Sequence, residues 1–145
     1  MADIIIIGGG VIGSSIAYHV AIAGRAGGVA VIEPDPTYAW AATPRAVGTV
    51  RHVHGTPENV LMSRYGHAFY SAFPTRMAVN GEPAGMDFRK GGYTFMVWGK
   101  DAVAHAEANW RMQTSLGASV ELADRTRLRQ LFPSLNVDDV DAALY

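Results

Sequence analysis

Three glycines and one glutamate carry the first chemical signal in this sequence. Gly8, Gly10 and Gly13 stand in the pattern G-x-G-x-x-G, and Glu33 follows at about the twenty-residue distance at which a dinucleotide fold places an acid. The first glycine permits a tight turn, the second lets the backbone approach a pyrophosphate, and the third lets a helix pack closely on a strand. Val11 and Ile12 separate the last two glycines, so the pyrophosphate is expected over N–H groups of residues 10–13, at the positive end of the helix dipole. Glu33, followed by Pro34, is placed to accept hydrogen bonds from the adenosine ribose hydroxyls. A carboxylate there repels a 2′-phosphate, so NADP is not expected. Which dinucleotide is bound is not decided by the glycines.

The elements that must position these residues are legible around them. Ile4 to Ile7 are β-branched and continuously apolar, which predicts a strand buried on both faces of a parallel sheet. Ile12, Ile16 and Val20 recur at helical spacing, so a helix is expected from Val11 to about Ala23, ended by Gly24. Val29 to Ile32 predicts a second buried strand, completing a βαβ unit. Residues 35–55 read as a long loop with one short helical turn. Thr56 as N-cap and Pro57 at the first helical position open a helix to about Phe73, with Pro74 after it. Met86–Phe88 and Tyr93–Trp98 read as strands around a Gly91-Gly92 turn. A helix over Asp101–Leu116 ended by Gly117, a short strand near Val120, and a helix over Asp124–Leu131 stopped by Pro133 complete the pattern.

Composition narrows the function classes. The chain has 145 residues, a net charge of −1 and no cysteine. Near-neutral charge gives no support for a nucleic-acid partner, and the lack of thiols excludes disulfides, thiolate metal sites and a cysteine-linked cofactor within these residues. The apolar run at 4–7 follows Asp3 without a basic region and is far shorter than the ~20 residues that span a bilayer. A soluble, cytoplasmic protein with no membrane span is expected.

The run I-I-I-G-G-G-V-I-G-x-S-x-A-Y-H (5–19) resembles the FAD-dependent D-amino-acid oxidase and sarcosine oxidase superfamily, glycine oxidase-like enzymes included. V-I-E-P-D-P-T-Y-A-W-A-A-T (31–43), G-T-V-R (48–51) and T-P-E-N-V-L-M-S (56–63) resemble its bacterial amine-oxidoreductase branch, which also includes a mitochondrial relative with a role in respiratory-complex assembly. R-K-G-G-Y-T-F-M (89–96), S-L-G-A-S-V-E-L (115–122) and L-F-P-S-L-N (131–136) have counterparts there too, so the resemblance covers the whole chain. It implies FAD as cofactor, covalent or not, and oxidation of the carbon–nitrogen bond of a small amine or amino acid. The resemblance implies that hydride passes from the substrate's α-carbon to flavin N5 and that water hydrolyses the resulting imine. It also implies that Ala42, Thr43 and Gly48 lie along the pyrophosphate and flavin side. Arg51 corresponds to the arginine of the family's G-G-x-R segment, which helps bind the substrate carboxylate.

The chain departs from the family where a serine and paired glycines are replaced by Ala46 and Gly48-Thr49, and where R-Q-Q-F becomes Arg51-His52-Val53-His54. These changes bear on the substrate. Arg45 stands near the place of a flavin-linked histidine in some relatives, so that linkage is not expected. His52 and His54 alternate and could share a side, but no third ligand accompanies them, and no metal site is assigned. His19, His67 and His105 are read as surface or packing residues, Trp98 and Trp110 as core, and Arg125, Arg127 and Arg129 as a solvated helix face.

The fold class expected is therefore α/β: the N-terminal βαβ of a Rossmann-type FAD-binding domain over residues 1–55, then the start of an α+β substrate domain over 56–145 with a linking helix. Two parallel strands cannot make a doubly wound sheet, so the chain is read as an N-terminal fragment. It needs a C-terminal half, from the same or a separate polypeptide, and is inactive by itself. Two other functions fit the residues: a non-catalytic flavoprotein acting in assembly or scaffolding, and an NAD-dependent dehydrogenase.

Overall fold

β1 (Ile4–Ile7) and β2 (Val29–Ile32) pair in parallel, in register from Ile4 with Val29 to Ile7 with Ile32. They belong to the computed structural model of the chain, which describes residues 2–145; Met1 lies outside the described residues. Between the strands runs α1 (Val11–Val20), continued by a wider turn over Ala21–Arg25 in which Gly24 takes φ +79°. A left-handed residue ends a helix at little cost only when it lacks a Cβ, so Gly24 terminates α1 as expected. One short 3₁₀ turn, Thr43–Arg45, interrupts the loop that follows β2.

The expectation that β1 and β2 are buried on both faces is not met. Ile6 is 7% exposed, but its neighbours Ile5 and Ile7 are 59% and 77% exposed, and Val31 and Ile32 are exposed as well. One crossover helix covers one face of two strands; among the described residues no second layer covers the other.

Two compact units make up the chain, one ending at Thr49 and the other spanning Val50–Tyr145. Within the second unit, Nε2 of the fully buried Gln113 donates to the His54 carbonyl at 2.8 Å.

In the second unit α2 (Pro57–Ser71) starts after Thr56, whose side chain makes no capping bond. It stops two residues short of Phe73, and Pro74 instead lies in the first turn of a separate α3 (Phe73–Arg76), where a missing N–H is tolerated. β3 (Phe95–Val97), α4 (Lys100–Ser115), β4 (Leu122–Ala123), α5 (Arg125–Leu131) and β5 (Ala142–Leu144) follow. The sheet is antiparallel with order β3-β5-β4. Met86–Phe88 is not a strand, and Gly91-Gly92 is not the turn of a hairpin. Phe95 pairs instead with Leu144 and Val97 with Ala142, which satisfies the strand from a distant segment.

The core of this unit is Ala123, Leu128, Val137, Val140 and Ala143, with Met96, Leu131 and Phe132 packed on it. Each large side chain fully withdrawn from water there contributes about 1.5–3 kcal/mol. Trp98, expected in the core, is 53% exposed; Trp110 is half-buried and donates Nε1–H to the Val120 carbonyl at 3.2 Å. Arg125, Arg127 and Arg129 are not simply solvated. Arg125 Nε donates to the Val140 carbonyl at 3.0 Å, Arg127 Nε to Glu121 Oε1 at 2.7 Å, and an Arg129 amino group to Asp138 Oδ1 at 2.7 Å. They tie α5 to the segments on either side of it.

Candidate cofactor site

The site begins where β1 ends. The Gly8 N–H donates to the Ile32 carbonyl at 2.8 Å, extending the parallel ladder by one bond, and Gly8 then turns at φ +92°. That backbone requires glycine. The turn delivers α1 back onto the strand so closely that Gly13 has no room for a side chain. A Cβ there would run into the Gly8 carbonyl oxygen, 3.0 Å from its carbon and 3.2 Å from Ile6 Cγ2. Gly10, the N-cap of α1, offers no side-chain cap, and the first turn holds no acid. Leading N–H groups of a helix have no intrahelical acceptor and carry the positive end of its dipole, so this end of α1 is suited to an anion.

Glu33 stands beside the same loop. Its Oε2 accepts from the Gly9 N–H at 2.8 Å and its Oε1 from the Asp35 N–H at 3.0 Å. Each carboxylate oxygen has two acceptor positions, so one on each remains for a ligand hydroxyl. Ser14 Oγ donates to the Gly9 carbonyl at 2.7 Å, fixing the middle glycine from its other side. Thr43, in the short 3₁₀ turn, brings Oγ1 within 3.0 Å of the Val11 N–H, which donates to it. A Cβ on Gly10 would lie 3.0 Å from that hydroxyl.

The loop after Glu33 is organised by Asp35. Its carboxylate accepts from the Thr37 N–H at 3.0 Å, the Thr37 hydroxyl at 2.5 Å and the Ala39 N–H at 3.0 Å. The Thr37 bonds hold its carboxyl below the usual aspartate range. Tyr38, between these anchors, has φ 55°, a conformation that costs a residue with a Cβ roughly 1–2 kcal/mol.

The structure thus gathers Gly8, Gly10, Gly13, Glu33 and Thr43 into one corner of the first unit. Pro34 is exposed beside Glu33, Ala42 is the N-cap of the 3₁₀ turn, and Gly48 has φ +70° with open space around it. Val11 and Ile12 present exposed side chains, Ile12 at 75%. Two residues of the corner carry no expectation from sequence: Gly9, the middle of the G-G-G run, and Tyr38. The run itself is the readable signal for the first, since the motif needs only two of its three glycines.

Arg51 lies in the second unit, with its guanidinium over the rings of Phe95 at 5.2 Å and Tyr93 at 5.8 Å. His52 and His54 serve different partners. His52 packs edge-on against His67, with centroids 5.0 Å apart, and its Nε2 is buried without a hydrogen bond. Burial above all, then the nearby His67, Arg64 and His54, lowers its pKa from the usual 6.5. His54 Nε2 is 2.8 Å from Ser63 Oγ and 3.0 Å from the Arg51 carbonyl oxygen. Among the described residues no three His, Asp or Glu side chains converge to hold a metal ion, and no helix is long and apolar enough to cross a membrane.

Known proteins resemble the chain over nearly its whole length. A family model described as FAD dependent oxidoreductase matches residues 3–145. The proteins named FAD-dependent oxidoreductase domain-containing protein 1 from Xenopus laevis and Mus musculus are 34% and 36% identical, each over 99% of the chain. The chain spans about 30% of the length of those relatives. Among solved structures, L-proline dehydrogenase from P. horikoshii superposes with a TM-score of 0.76 at 23% identity, over 99% of this chain and 36% of its own. Glycine oxidase from Bacillus cereus does so with 0.68 at 23% identity, over 100% of this chain and 38% of its own. At that identity the structures establish the fold, while the family match decides between the two dinucleotides in favour of FAD.

Proposed function

The chain belongs to the FAD dependent oxidoreductase family, and from that premise we propose that its first unit holds the ADP portion of FAD in an enzyme oxidising a small amine or amino acid. Residues 1–55 belong, in this reading, to the FAD-binding domain and 56–145 to the substrate domain, completed by a further C-terminal segment in the same or a second polypeptide. When bound, FAD supplies the two-electron acceptor for oxidation of the substrate's carbon–nitrogen bond, leaving an imine that water hydrolyses.

The observation that carries the reading is the close approach of Gly13 to Gly8, which sets the acid-free start of α1, with no side chain at its N-cap Gly10, at the end of β1. The N–H groups of residues 10–13 hold the pyrophosphate there, and the two acceptor positions left on Glu33 take the ribose hydroxyls. Thr43, already on the Val11 N–H, is within reach of the same phosphates; Pro34, Ala42 and Gly48 line the approach. Arg51 binds the substrate carboxylate. Its guanidinium lies over the rings of Phe95 and Tyr93, and its fork of N–H donors suits a bidentate pair with a carboxylate. The cytoplasm is the proposed location.

The test is a visible absorbance spectrum after incubation with FAD. The chain and a longer product of the same gene, read past Tyr145, are compared. Bound flavin in the longer product, weaker or missing in the shorter, is the expected result. Flavin in neither would overturn the reading.

A further inference from the structure

Gly9 lies outside the two-glycine requirement of the motif, yet a side chain cannot be added to it freely. A Cβ there would sit 2.7 Å from the Tyr38 hydroxyl and 3.4 Å from Glu33 Cβ. Tyr38 and Glu33 therefore front the same side of Gly9, the residue whose N–H donates to the Glu33 carboxylate. Tyr38 reaches this place through a left-handed backbone that aromatic residues rarely adopt. The Asp35 carboxylate holds the residues on either side of it, Thr37 and Ala39, and the Tyr38 N–H donates to the Asp35 carbonyl at 2.9 Å. A strained residue braced on both flanks, with its terminal atom laid against a glycine, marks a specified contact.

We propose that Tyr38 is a positioning residue for the dinucleotide: its phenol braces Gly9, and through the Gly9 N–H it holds the Glu33 carboxylate in the orientation that receives the adenosine ribose. The inference rests on the FAD reading above and deepens it. Tyr38 need not touch the ligand. Without it Gly9 keeps only its bonds to Ser14 and Glu33, and the Gly9–Glu33 pair is free to shift away from the orientation that receives the ribose.

The experiment measures FAD affinity by flavin fluorescence in the form of the protein that turns yellow, for FAD and for an analogue lacking the adenosine 2′-hydroxyl. Wild type is expected to prefer FAD about tenfold, the worth of one hydrogen bond to a charged acceptor. Tyr38→Gly, which relieves the left-handed strain, is expected to keep or raise the apo melting temperature and to bring that preference toward one. Tyr38→Asn, also tolerant of this backbone, serves as the second variant and should behave alike. Gly9→Ala should lower FAD affinity in wild type and add little in Tyr38→Gly, where the hydroxyl it would strike is gone.

Wild type that binds no flavin overturns both this inference and the reading beneath it. Wild type that binds FAD but shows no preference overturns the Glu33–ribose contact and this inference with it. A preference that survives both Tyr38 variants, or a Gly9→Ala effect equal in the two backgrounds, overturns the role of Tyr38 alone.

Discussion

Replacing Gly13 by alanine isolates the contact on which the cofactor site depends. The added Cβ would point at the Gly8 carbonyl, 3.0 Å from its carbon and 3.2 Å from Ile6 Cγ2. Two of these atoms are backbone of the turn that Gly8 makes at φ +92°, so no flexible side-chain end can yield, and α1 must lift away from β1. Overpacking of this kind costs about 1–3 kcal/mol, while alanine in a helix regains about 0.5–1 kcal/mol over glycine. The net loss of stability is therefore modest, on the order of 0–2.5 kcal/mol, and a melting curve alone is a poor assay. Ligand affinity is the sharper one. Loss of a single charge-assisted N–H···phosphate bond at about 1.5–3 kcal/mol weakens FAD roughly 10- to 100-fold. Gly27→Ala is the control, because its Cβ meets nothing within 4 Å. Fluorescence titration with FAD on the flavin-binding form should separate the two variants by at least about tenfold. If Gly13→Ala binds FAD as well as Gly27→Ala, the close approach of helix to strand is not what makes the site.

Three further outcomes are expected. Stability of the second unit should hold steady above the usual histidine pKa of 6.5 and decline as pH falls below it, because the unfolded chain takes up a proton that folded His52 resists; urea midpoints between about pH 7.5 and pH 5 measure this, and His52→Phe should flatten the decline. Asp124→Ala removes the 2.7 Å bond from the Arg127 N–H that caps α5, and should cost about 1 kcal/mol in a denaturant titration. Arg51→Lys keeps the charge but loses the fork, so steady-state kinetics with an amino-acid substrate should show KM raised about tenfold or more, with the flavin spectrum unchanged.

Elements governed by near neighbours were legible in the sequence. β1, α1 and β2 follow from an apolar run, a helical period and Gly24, and the cofactor corner follows from three glycines and Glu33 within that same unit. The start of α5 near Asp124, read as its first residue and found to be its N-cap, and the ending of α4 near Gly117 are likewise local events. Where the partner lies far along the chain, pattern was a poor guide. Phe95 resembles half of a hairpin until Leu144 claims it, and the arginines of α5 look solvated until the bends on either side bring Glu121, Asp138 and the Val140 carbonyl to them. The apolar run alone does not announce the exposure of Ile5 and Ile7, because a buried-strand pattern states what a strand needs, not what its surroundings provide; the shortage of parallel strands was the sequence's pointer to uncovered faces. Tyr38 illustrates a third limit: nothing in an aromatic residue announces a positive φ, which the Asp35 bonds impose from outside.

The order β3-β5-β4 gives the second unit a built-in schedule. Both outer strands hydrogen-bond to the central one and not to each other, and the central one is the last of the three to be synthesised. During translation, Phe95–Val97 and Leu122–Ala123 therefore wait without their ladder partner until Ala142–Leu144 has left the ribosome. Over that interval α2 and α4 can form from local contacts, whereas the sheet cannot. Three residues at the late end of the unit thus decide when it closes, and a nascent chain arrested before them would display two unpaired strands to whatever else is nearby.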